Sequence, residues 1–177
     1  NAENPYNYVG LATLDLLNGN EDAAKENIKL AEKFGKKNNE VTVAIARAYY
    51  VANPEVYAKQ ISKYLEKATK DSKRKEPSIY ILKGDMLAAA DSINEAVEQY
   101  GQAVYFGPEQ SAAYVKSANI YFVINPTSAI EMLETLLSLQ PNSALAQREL
   151  AIKYYDNGQF AKAAELYGQY VKNPNHF

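Results

Sequence analysis

Cysteine is absent from this 177-residue chain, and histidine occurs once, at His176. Without cysteine no disulfide or thiolate metal site can form. With one histidine, a histidine-based triad or multi-histidine metal centre is not available. His176 sits in the terminal tail and reads as a linker residue. Phosphate-cradling loops are missing too, since neither G-x-G-x-x-G nor G-K-[ST] occurs. No stretch approaches the ~20 continuous apolar residues of a membrane span. The formal net charge of −2 supplies no overall field for nucleic acid or an anionic membrane. The carboxylate pairs Glu95/Glu98 and Glu131/Glu134 fall opposite the apolar stripes of their segments, as solvated surface does. The expectation is a protein that is not an enzyme and uses no cofactor or metal.

What the chain has is apolar content, 47% of residues, delivered mostly by Ala, Tyr and Leu. Its arrangement is clearest between Pro77 and Pro108. Tyr80, Gly84 and Leu87 recur at three- and four-residue steps, and so do Ile93, Ala96, Tyr100 and Ala103. Each set shares one face of a helix. Asp91-Ser92 can turn the chain and cap the second helix, and Gly107-Pro108 closes the unit. Two such short helices cannot bury both apolar stripes alone, so the unit needs neighbours of its own kind.

The unit recurs. Gly84 has counterparts in Ala12, Ala46, Ala118 and Ala151, at successive gaps of 34, 38, 34 and 33 residues. Ala96 has counterparts in Ala24, Ala58, Ala129 and Ala163, at gaps of 34, 38, 33 and 34. The spacing predicts five repeats, at about 5–36, 39–76, 77–108, 111–141 and 144–174. In the first, Tyr8, Leu11 and Ala12 form the buried stripe, and Gly35 stops the second helix. In the second, Pro54 should open a helix at its favoured first position. Its four extra residues, about one helical turn, should lie in an extended helix near Lys67–Lys75, where five basic residues form a solvated connection or a docking patch for an acidic partner.

A period near 34, with an aromatic, Leu, small, Tyr series followed by Ala, aromatic and Pro, resembles the tetratricopeptide repeat. The third repeat matches through Tyr80, Gly84, Ala96, Tyr100 and Pro108, and departs at Lys83 and Leu87. The fifth matches through Leu150, Ala151, Tyr154, Gly158, Phe160, Ala163 and Tyr167. The resemblance implies an all-α fold, a right-handed α-solenoid of antiparallel helix pairs, whose first helices line a concave face. Asn4-Pro5 resembles the linker that ends a repeat, so a further repeat is expected upstream; the last helix is too apolar for a terminal one, so more repeats, a cap or a dimer partner is expected to cover it.

Of the 15 tyrosines, Tyr8, Tyr49, Tyr80, Tyr100, Tyr121, Tyr154 and Tyr167 fall in packing columns. One step around the first helices lies a second set. On the implied concave face it places Tyr6, Val9, Tyr50, Val51, Ile81, Val115, Phe122, Val123, Ile152 and Tyr155, interspersed with Arg47, Asp85, Asn119 and Arg148. Such a groove suits an extended peptide or helix from another protein. The clamp that some arrays use for acidic C-termini finds only Val9, Thr13, Ala44, Ser78 and Leu82 at its positions, which does not match. The expected role is a non-catalytic protein-interaction scaffold, with protein or peptide as partner and no nucleic acid. The alternative is a structural spacer or self-assembly segment, dimerising through the helix with Phe160, Ala164, Tyr167, Tyr170 and Val171. An accessory domain handling carbohydrate or peptide is a third. Asn- and Tyr-rich usage without cysteine leans to a bacterial protein, cytoplasmic or exported to the periplasm.

Overall fold

The computed structural model describes residues 3–176, and among these it contains ten α-helices and no strand. The helices are α1 (Pro5–Leu17), α2 (Glu21–Phe34), α3 (Asn39–Ala52), α4 (Ala58–Asp71), α5 (Pro77–Ala89), α6 (Ile93–Phe106), α7 (Ser111–Tyr121), α8 (Pro126–Leu139), α9 (Ala144–Asp156) and α10 (Phe160–Tyr170). The chain divides into two compact units, one ending at Leu82 and the other starting at Lys83. In the first, α1 packs on α2 and α3, and α3 on α4. In the second, α6 packs on α7, α7 on α8, α8 on α9 and α9 on α10.

Helix starts follow local chemistry. Asn4 Oδ1 accepts from Tyr6 N at 3.0 Å, and Pro5 opens α1 where its missing N–H costs nothing. Asn38 caps α3, Asn125 caps α8 ahead of Pro126, and Ser143 caps α9. Ser92 precedes α6 without a side-chain cap bond, contrary to the sequence expectation; its carbonyl instead accepts from Ala96 N. Three turns share one geometry. Gly19, Asp91 and Gly158, each seven residues after the small residue of its first helix, have φ of 74°, 59° and 71°.

The small-residue column of the first helices is buried throughout, at Ala12, Ala46, Gly84, Ala118 and Ala151. A Cβ on Gly84 would lie 2.5 Å from the Tyr100 ring, so the missing side chain is what lets α5 and α6 approach. In the second unit the core joins Ala118, Leu133, Leu136, Leu150, Ala151 and Leu166, with Tyr114 and Tyr154 at its edge. Of the tyrosines expected to pack, Tyr49, Tyr100 and Tyr154 are buried, and Tyr8, Tyr80, Tyr121 and Tyr167 are half-buried.

The second repeat is irregular in a different place from that expected. Residues 54–57 form a turn, and α4 starts at Ala58. Pro54 therefore opens no helix: Asn53 Oδ1 holds the N–H groups of Glu55 (3.1 Å) and Val56 (3.0 Å) in a local turn instead. At 14 residues α4 equals α2 and α6, so the surplus does not extend it: three of the four residues precede its column position and one lies in the connection after it. Ala58 is exposed, and the column position belongs to buried Ile61. Its N–H bonds the carbonyl of Tyr57, just as those of Ala24, Ala96, Ala129 and Ala163 bond the residue before each helix. Leu11 is a second correction. It is 49% exposed, along with Leu14 and Leu17, because nothing in the described chain covers that side of α1. The equivalent residues Ile45 and Leu150 are buried against preceding helices.

Candidate functional site

The expected binding residues lie on the first helices of both units, and two of them do not reach the surface. Val9 and Ile81 are 8% and 7% exposed and belong to the core. Both lie three residues before the small residue of their helix, as does buried Val43. That position turns into the contact between successive helices, so it packs rather than binds. Val115 and Arg148 hold the same register in the second unit and are half-buried.

In the first unit the accessible groups are Tyr6, Arg47, Tyr50 and Val51. Tyr6 rises from the start of α1, and its hydroxyl reaches the Glu40 carboxylate. Burial first, and then that hydrogen bond, push its pKa up to about 12, so the phenol stays protonated at any physiological pH. Arg47, Tyr50 and Val51 follow along α3, with Val51 exposed at its end. Aromatic and cationic side chains thus share one helix face, the combination that anchors partner segments.

In the second unit the accessible groups are Asn119, Phe122, Ile152 and Tyr155, with Val123, 88% exposed, in the turn after α7. Phe122 follows the last residue of α7, and Lys153 Nζ sits 4.9 Å from its ring centroid. Tyr155 packs edge-on against Phe160, ring centroids 5.3 Å apart, and is still 59% exposed. Asp85 has a different task. Its Oδ1 accepts from Tyr100 Oη at 2.9 Å and pairs with Lys116 Nζ at 2.8 Å, with 13% of the side chain exposed. The carboxylate ties α5 to α6 and α7. Arg148 is likewise engaged, by Glu149 Oε1 at 2.8 Å. No cluster here has the geometry of a nucleophile and base, so the surface offers contact area, rings and a few charges.

A family model of ChAPs, the Chs5p-Arf1p-binding proteins, matches residues 2–155, most of the sequence. The chain belongs to the ChAPs family. No curated protein matches it. Among solved structures, yeast Tom70 is similar at 18% identity with a TM-score of 0.72, over 98% of the ChAPs chain and 37% of Tom70. PilF of Pseudomonas aeruginosa aligns at 20% identity and a TM-score of 0.63, over 98% of this chain and 78% of its own. MamA of Desulfovibrio magneticus RS-1 aligns at 18% and 0.59, over 95% and 93%. At such identities the likeness is one of fold: an all-α solenoid of tetratricopeptide-like helical repeats. The chain spans about a third of Tom70's length. Among the described residues, no helix of this ChAPs chain is long and apolar enough to cross a membrane.

Groups that sequence reasoning underused lie around the α3–α4 hairpin and between α8, α9 and α10. Tyr49, Tyr57 and Tyr64 form a stack in the first unit, with centroids 5.2 and 6.1 Å from Tyr49. Tyr57 Oη reaches Glu21 at 3.4 Å. Burial above all, aided by nearby carboxylates, raises the pKa of each of the three. Tyr49 and Tyr64 sit on α3 and α4, but Tyr57 lies in the turn between them, and the displaced start of α4 hid the register. A 560 Å³ groove also lies between α8, α9 and α10, floored by Leu150 and Leu166 and edged by Glu134 and Lys162.

Proposed function

We propose that this chain is a non-catalytic protein-interaction scaffold of five tandem helical repeats, which binds a peptide or helical segment of a partner on the first-helix face of each unit. The observation that carries the reading is the pairing of family and surface. The family is described by its binding of Chs5p and Arf1p, and the first helices expose rings and cations outside the packing columns. The contact set is Tyr6, Arg47, Tyr50 and Val51 in one unit and Asn119, Phe122, Ile152 and Tyr155 in the other. Proteins of the Chs5p or Arf1p kind are the partners to test first. Aromatic anchors carry a large share of the binding energy at such surfaces, commonly about 2 kcal/mol or more each.

The test is titration calorimetry of the chain with purified Arf1p and with Chs5p. Tyr50→Ala combined with Tyr155→Ala should weaken binding at least roughly thirtyfold, about 2 kcal/mol, with helicity unchanged. Undiminished binding by the double variant would remove the first-helix face from consideration. A second reading, self-assembly through the last hairpin, is favoured by Phe160 and Val171, 61% and 58% exposed beside half-buried Tyr167 and Tyr170. It predicts a concentration-dependent dimer that Phe160→Ser with Val171→Ser disperses. Light scattering that shows a monomer at every concentration removes it.

A further inference from the structure

Formal charge is strongly segregated along this chain. Residues 59–75 hold seven basic and two acidic side chains, a net of +5, although the whole chain carries −2. The remaining residues therefore carry −7. The near-neutral total conceals this contrast.

The fold concentrates the excess further. At 100° per residue, Lys59, Lys63, Lys67 and Lys70 fall within about 80° of one another around α4, on the side opposite buried Ile61, Leu65 and Ala68. All four are exposed. Lys67 has one weak partner, Glu32 at 3.8 Å, and Lys63 lies 5.4 Å from the Tyr64 ring centroid. Among the described residues, Lys59 and Lys70 form no ion pair.

The stripe runs on into the connection to α5, which is built rather than loose. Arg74 N donates to Thr69 O at 2.9 Å, Lys73 N to Lys70 O at 3.2 Å, and Tyr80 Oη to Arg74 O at 2.8 Å. Lys73 and Arg74 have φ of 52° and 66°, a region L residues seldom adopt and glycine adopts freely. Two positions suited to glycine thus hold cationic side chains in succession. The connection between α2 and α3 in the same unit does the same with Lys37, at φ 65°. Left-handed residues of this kind close the end of α4 and hold the connection in one geometry.

We propose that the basic ridge of α4 and its following connection is a docking site for an acidic peptide segment of a partner protein, separate from the first-helix face. Three features select that occupant. The ridge is long and narrow: Lys59 to Lys70 spans about 17 Å at 1.5 Å per residue, the reach of roughly five or six residues of extended chain. Between Ala58 and Lys75 no large apolar side chain is exposed, so the ridge itself presents no apolar face to a lipid interface. Tyr64, the aromatic residue of α4, is buried, so no ring is offered for stacking on nucleic-acid bases. Glu66 and Asp71 flank the lysines and would repel a chain laid out of register. The fixed connection keeps the ordering cost of binding low.

The experiment uses the full chain and a fluorescein-labelled peptide with six consecutive glutamates, read by anisotropy, beside the same peptide with glutamines. The glutamate peptide should bind, the glutamine peptide should not, and added salt should weaken binding steadily as screening shortens. Lys63→Glu with Lys70→Glu should weaken binding tenfold or more, and Lys59→Glu with Lys70→Glu, which leaves the Lys63–Tyr64 contact intact, should do the same. Lys162→Glu with Lys172→Glu in the second unit changes net charge equally and should have no effect. Equal binding of the two peptides, or equal loss in all three variants, overturns the proposal. So does binding to phosphatidylserine-containing vesicles without binding to the peptide, which would make the ridge a membrane contact. None of these variants touches the first-helix face, so their outcome is independent of the calorimetry with Arf1p and Chs5p.

Discussion

Replacing Gly84 by alanine sets two effects of known size against each other. In a helix interior the change is favourable by about 0.5–1 kcal/mol, because glycine loses more backbone freedom on folding. At this position the new methyl would lie 2.5, 2.7 and 2.9 Å from Cε1, Cδ1 and Cζ of Tyr100. Ordinary carbon contacts sit near 3.5–4.0 Å, so the ring must retreat by about 1 Å. It has little room. Tyr100 is 2% exposed, and its hydroxyl is held 2.9 Å from Asp85, a carboxylate also fixed by Lys116 at 2.8 Å. Overpacking of this kind costs about 1–3 kcal/mol, which exceeds the helix gain. Gly84→Ala should therefore destabilise by about 0.5–2 kcal/mol and lower Tm by roughly 2–6 °C for a chain of this size. Gly101, on the exposed face of α6, supplies the contrast: a Cβ there meets nothing within 4 Å. Gly101→Ala should raise Tm by about 1–4 °C. Urea and thermal unfolding followed by far-UV circular dichroism measure both. A double-mutant cycle of Gly84→Ala with Tyr100→Leu should show a coupling of about 1 kcal/mol or more, since the smaller side chain makes room. If Gly84→Ala stabilises as Gly101→Ala does, or if the cycle is additive, close approach at Gly84 is not what holds α5 to α6.

Two further perturbations follow from the same local geometry. Asp91 occupies, at φ 59°, the turn position that glycine holds at Gly19 and Gly158, so Asp91→Gly should raise the unfolding free energy measured in urea by up to about 1 kcal/mol, the left-handed penalty less the added chain entropy; a fall would show that the aspartate side chain stabilises the turn. Tyr6 and Tyr154 are held near pKa 12, against 10.0 for an ordinary tyrosine, by burial and then by hydrogen bonds to Glu40 and Glu134. Because the folded value is the higher one, this contribution is intact below pH 10 and is lost as pH rises through about 12. Tyrosinate absorbance from these residues should therefore appear only well above pH 10, and complete ionisation of all tyrosines near pH 10 with helicity intact would contradict the assignment.

The features legible in the sequence are those that a helix determines within itself. Period, small-residue columns and turn positions depend on spacing of three, four and seven residues, and Ala12, Ala46, Gly84, Ala118 and Ala151 all proved buried. What was misread depends on a neighbour. Leu11 and Ile45 occupy equivalent positions with equal apolarity, yet one is 49% exposed and the other 1%, because only Ile45 has a preceding hairpin against it. Val9 and Ile81 show the converse. A position one step off a packing column can serve either a groove or a helix contact, and side-chain type does not distinguish the two. The start of α4 illustrates a third limit. Pro54 carries the signal of a helix start, but Asn53 captures the next two free N–H groups in a turn, and the register moves from Ala58 to Ile61. The lysines share a face through their own spacing, which that shift leaves unchanged. With Ile61, Leu65 and Ala68 inward, Lys59, Lys63, Lys67 and Lys70 point outward together. The composition shows how many lysines there are, and their spacing of four, four and three residues along α4 makes them a ridge.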